Sequence, residues 1–97
     1  MTERPALRHV VFFSARDKAD IARIVASLES LARIPHAQVF EVRRNTGTDI
    51  WSDEIDVVVF AEFASPEALD AYRADPIYEE ATAAVRPLRE LRIAADF

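Results

Sequence analysis

The chain has 97 residues, 51% of them apolar and 30% charged, with a formal net charge of −5. That is the mix of one small globular domain rather than of a disordered or membrane-embedded chain, and the acidic balance argues against nucleic acid as a partner. The lack of Cys excludes disulfides, thiolate nucleophiles and Cys-based metal sites, and a single Gly excludes a Gly-rich phosphate loop.

The opening MTERPALRH has no apolar stretch of the secretory kind. No apolar run approaches the ~18–20 residues that cross a bilayer. A cytoplasmic protein with no membrane partner is therefore expected. Residues 7–14 (LRHVVFFS) are rich in β-branched and aromatic side chains and predict a strand. Alternation puts Leu7, His9, Val11 and Phe13 on one face and Arg8, Val10 and Phe12 on the other. Residues 17–33 predict a helix. Ile21, Ile24, Val25, Leu28 and Leu31 form one apolar stripe, Asp17 is placed to cap the start, and Pro35 stops the run.

Residues 37–44 predict a second strand, with Val39, Glu41 and Arg43 opposite Phe40 and Val42. A turn-rich stretch, 45–49, begins a long connection that carries Trp51, a candidate shield for the barrel mouth or a subunit seam. Residues 55–63 are the strongest strand, and its direct link to the second predicts an antiparallel pair. Ser65-Pro66 and Asp75-Pro76 each combine a cap residue with a proline at the first helical position, predicting two short helices, Pro66–Ala74 and Pro76–Val85. Residues 91–97 predict a final strand, with Leu91, Ile93, Ala95 and Phe97 on one side. The order β-α-β-β-α(α)-β is the split βαβ order of ferredoxin-like α+β folds, here a single domain over 1–97 with a four-stranded antiparallel sheet.

Helices cover one face of such a sheet, so the strands of a monomer should alternate apolar with polar. They do not. Val57 and Val59 back onto Val58 and Phe60, and His9, Val11 and Phe13 back onto Val10 and Phe12. Burying each apolar side chain is worth about 1.5–3 kcal/mol. A second copy is the simplest cover for the uncovered face, which predicts a homodimer through the sheet; the connection with Trp51 folding over that face is the alternative.

Several stretches in order resemble the stress-responsive dimeric α/β-barrel (Dabb) family: HVVFF from His9, IPHAQVFEV over 34–42, VVVFAEF over 57–63, SPEALDAY over 65–72, Asp75-Pro76, VRPL over 85–88 and the closing IAADF. The resemblance implies a ferredoxin-like protomer whose sheets pack face to face in a dimeric barrel. In a plant branch of the family that closes a linear polyketide by an aldol reaction, a first-strand His, a helix Tyr and an H-P-x-H motif line the pocket. The resemblance places His9 and Tyr72 at the first two positions. The motif here reads Asp75-Pro76-Ile77-Tyr78, so Tyr78 stands where the catalytic His would be and that branch's general base is missing.

His9 is the candidate catalytic residue, since imidazole exchanges a proton readily near neutral pH; a buried His satisfied by a neighbour is the plainer reading. His9, Tyr72 and Tyr78 are the candidate substrate-binding residues, the phenols orienting a ligand at the rim of an apolar pocket or else packing as ordinary core. His36 and the pairs Glu79-Glu80 and Asp53-Glu54 read as solvated, and so do Arg86, Arg89 and Arg92, near a helix end and on a strand. No metal or cofactor is expected. The functions left open are a dimeric barrel binding a small apolar or aromatic molecule, a cofactor-free enzyme of carbonyl chemistry such as a polyketide cyclase, and a stress-related structural protein with a solid interior.

Overall fold

The computed structural model describes residues 6–52 and 54–97. The expected amino-terminal reading over residues 1–5 and the solvated Asp53 lie outside them. Four strands, β1 (Leu7–Ala15), β2 (Val39–Arg44), β3 (Val57–Phe63) and β4 (Arg89–Asp96), form one antiparallel sheet in the order β2-β3-β1-β4. Three helices, α1 (Ile21–Glu29), α2 (Pro66–Ala74) and α3 (Pro76–Val85), complete a ferredoxin-like α+β fold. No helix among the described residues is long and apolar enough to cross a membrane.

The local chemistry explains most boundaries. The Ser65 hydroxyl accepts from the Ala68 amide at 3.1 Å to cap α2. Asp75, extended between the two helices, ends α2 and caps α3 by accepting from the Ile77 amide at 2.9 Å. The first helix is shorter than its apolar stripe suggests. Asp17 caps a 3-10 turn over Lys18–Asp20 rather than the α-helix itself, and Ser30–Arg33 closes as a second 3-10 turn. The Ser30 hydroxyl donates to the Ser27 carbonyl at 2.6 Å, a local bond that competes with regular helix geometry, and Pro35 forbids continuation. The last strand starts at Arg89, two residues earlier than its apolar alternation suggests, because its pairing with β1 shifts register at Ser14 and Ala15.

The register sorts the side chains. Val11 lies opposite Val59 and Ala94, and Val59 opposite Val42; these face the helices. There they join Phe13, Val57, Ala61 and Phe63 with Ile24, Leu28 and Leu31 of the helical side and Leu69, Tyr72 and Val85 from α2 and α3. The other face carries Val10, Phe12, Val58 and Phe60 at its centre, flanked by Ile93 and Phe97, which are 53% and 61% exposed. At its rim the Arg8 guanidinium lies 5.7 Å from the Phe97 ring centre. The connection after β2 does not shield this face with its Trp, since Trp51 is 88% exposed.

Candidate functional site

The space between the sheet and α3 holds a cavity of about 390 Å³. Its floor is β1 and β3, through Val11, Phe13 and Val59; its far wall is Leu28, Leu31 and Val85. His9, Tyr72 and Tyr78 all line it.

His9 is 2% exposed, and its position on β1 places it opposite Asp96 of β4. Its Nδ1–H donates to Asp96 Oδ1. Asp96 Oδ2 in turn accepts from Arg73 Nη2 of α2 at 3.2 Å. Committing Nδ1 in this way orients the ring and leaves Nε2 as the nitrogen with a lone pair in the neutral form. Nε2 has no hydrogen-bond partner among the described residues, yet no fully buried side-chain nitrogen or oxygen there lacks one, so it opens onto accessible space. Burial pushes the Asp96 carboxyl up, but the hydrogen bond and charge of His9, with Arg73 behind them, outweigh it and hold the group below its ordinary 3.8.

That shift fixes a sign. A depressed carboxyl adds stability that is fully present above its unfolded value near 4 and is lost as pH falls through the folded value. Asp96→Asn keeps a hydrogen-bond acceptor and removes the charge. Its melting temperature should fall a few degrees below the parent's at neutral pH, and the gap should narrow progressively as pH falls below about 4. A gap independent of pH would contradict this role for the carboxylate.

Tyr72 is 1% exposed, and its ring meets Phe63 edge-on at 5.2 Å and Tyr78 at 5.3 Å between centroids. Burial first, and then the neighbouring Tyr78 phenol, push its hydroxyl far above the ordinary 10.0. Tyr72 therefore stays protonated and acts as a hydrogen-bond donor, not as a base. Tyr78 sits in the first turn of α3, reoriented by the break at Asp75 so that both phenols reach one cavity. His36 is exposed in the loop after α1 and lies apart from this cavity.

Arg86 and Arg92 are exposed, as the sequence suggests, and Arg89 is half-buried; the sequence does not show that all three also line the cavity. Arg92 lies opposite Phe13 in the ladder and so shares its inner face, and Arg86 caps the carboxyl end of α3. Asp96, the partner of His9, had also escaped notice. Both were implicit in the alternation of β4, because an outer face of Leu91, Ile93 and Ala95 turns Arg92 and Asp96 inward.

A comparison with curated proteins finds no match. Among solved structures, a dimeric ferredoxin-like protein of unknown function from Jannaschia sp. CCS1 is 19% identical, with a TM-score of 0.82 over 94% of this chain and 96% of that one. A second dimeric ferredoxin-like protein of unknown function, from Thermobifida fusca YX, is 23% identical, with a TM-score of 0.79 over 94% and 88%. Hydroxynitrile lyase from Passiflora edulis is 18% identical, with a TM-score of 0.78 over 94% and 90%. At these identities the likeness speaks to the fold. Residues 7–97 match the family described as the stress responsive A/B barrel domain, Dabb, and the chain belongs to that family.

Proposed function

We propose that the chain acts as a homodimer joined through the outer faces of its sheets, and that each protomer binds a small apolar or aromatic molecule between sheet and helices against His9, Tyr72 and Tyr78. The single observation behind the ligand is the cavity of about 390 Å³ on which these three side chains converge. Small-molecule sites span about 300–1,000 Å³ and combine apolar walls with placed polar groups; here Val11, Phe13, Leu28, Leu31, Val59 and Val85 supply the apolar walls and the rest of the lining is polar or charged. The dimer is supported by the apolar outer face, an unusual surface to leave in water, and by the dimeric state of similar folds.

The test is a titration with 2-naphthol, a neutral aromatic probe, followed by 1H–15N NMR. Saturable shifts should concentrate on His9, Tyr72, Tyr78 and Val85, and Val85→Phe, which fills the cavity, should abolish them. Saturable binding that maps to the outer sheet face, or none at all, would count against the site.

The pairing of His9 with Asp96 favours a second reading, cofactor-free proton transfer on an activated carbonyl compound. His9 Nε2 takes the proton from the carbon beside the carbonyl. The C–H electron pair becomes the enolate double bond, and Tyr72 or Tyr78 donates a hydrogen bond to the enolate oxygen. In this reading His9 carries the base function for which Tyr78 is chemically unsuited. Turnover unchanged in His9→Ala would remove it.

A further inference from the structure

We propose that Arg86, Arg89 and Arg92 form an oxyanion subsite at the cavity, which selects amphipathic ligands with a carboxylate or phosphate head over neutral ones. The inference rests on the ligand-binding reading above and adds the charge of the ligand. Three arginines line the cavity and, among the described residues, no carboxylate does. They arrive from two elements, Arg86 from the end of α3, Arg89 and Arg92 from β4, so their convergence is a product of the tertiary fold.

The two acids of β4 are committed elsewhere. Glu90 pairs with Arg16 at 3.4 Å, and Asp96 is held by His9 and Arg73. None of the three arginines forms an ion pair among the described residues. Their mutual repulsion is visible at Arg89, whose guanidinium is shifted down by burial first and then by the charges of Arg92 and Arg86. A cation at Arg86 complements the negative end of α3. Arg92 stays exposed on the edge strand β4, on the face it shares with Phe13, where it can present its charge at the cavity mouth. An oxyanion between these groups neutralises the cluster, and the planar guanidinium fork matches both carboxylate and phosphate geometry. The apolar body of the same ligand then covers Val11, Leu28 and Val85, within reach of His9 and the two phenols.

The experiment compares three probes of one ring system on the intact protein: 2-naphthoate, 2-naphthyl phosphate and the uncharged 2-naphthamide, by calorimetric titration at low salt. At least one anion should bind about tenfold tighter than the amide, the scale of a charge-assisted hydrogen-bonded pair. That advantage should shrink as ionic strength rises, and Arg92→Gln should bring the anion and amide affinities together. The tighter anion identifies the head group. If Arg92→Gln fails to fold, the salt dependence of the parent decides alone. An amide that binds as tightly as both anions overturns the subsite and leaves the small-molecule reading standing; failure of all three probes to bind overturns both.

Discussion

Phe63→Ala should be the most damaging single truncation in the fold, lowering stability by about 3–5 kcal/mol. Phe63 ends β3, is fully buried, and lies edge-on to Tyr72, with the His9 ring 6.5 Å from it and 6.4 Å from Tyr72. Removing the ring leaves a void where the sheet meets α2 and frees the two side chains that shape the cavity wall. For a domain of this size each kcal/mol moves the melting temperature by roughly 4–8 °C, so a loss exceeding about 10 °C is expected. Thermal denaturation followed by circular dichroism reads this directly. Trp51→Ala is the matched contrast: despite its larger ring, Trp51 is 88% exposed, and its loss should stay within about 0.5 kcal/mol of neutral. Equal losses for the two would contradict the packing described here.

Phe12→Glu should convert the protein to a monomer. Phe12 lies opposite Val58 and Ile93 at the centre of the outer face. In a two-fold dimer the same patch occurs on both partners, so one substitution places two carboxylates in one apolar interface. Burying an unpaired charge costs several kcal/mol, and each 1.4 kcal/mol is about tenfold in affinity. The dimer should therefore weaken by at least about a thousandfold. Light scattering on the eluting protein distinguishes the outcomes, and a variant that keeps twice the chain mass would place the interface elsewhere.

The fold was legible because its local signals agree with one another. Ser65-Pro66 and Asp75-Pro76 mark α2 and α3 by chemistry that acts within three residues, and the capping bonds form where the sequence places them. The doubly apolar strands carried the sheet in the same way, since strand alternation is a local property. The site was legible only in part. His9, Tyr72 and Tyr78 could be singled out by residue type, but the bond between His9 and Asp96 joins residues 87 apart and depends on the register of β1 with β4. The shift at Ser14 and Ala15, which brings Arg89 into β4, has no local signature either. The place of the arginines at the cavity is hidden for a different reason. Their spacing near a helix end has a common solvated explanation, and the inward phase of Arg92 follows only once the apolar side of β4 is known to face away from the helices.

The most direct measurement is sedimentation equilibrium of the unmodified protein at low micromolar concentration. A sheet covered by its own helices on one side and by a second copy on the other predicts a single species of twice the chain mass. A species of one chain mass, stable across that range, would contradict it.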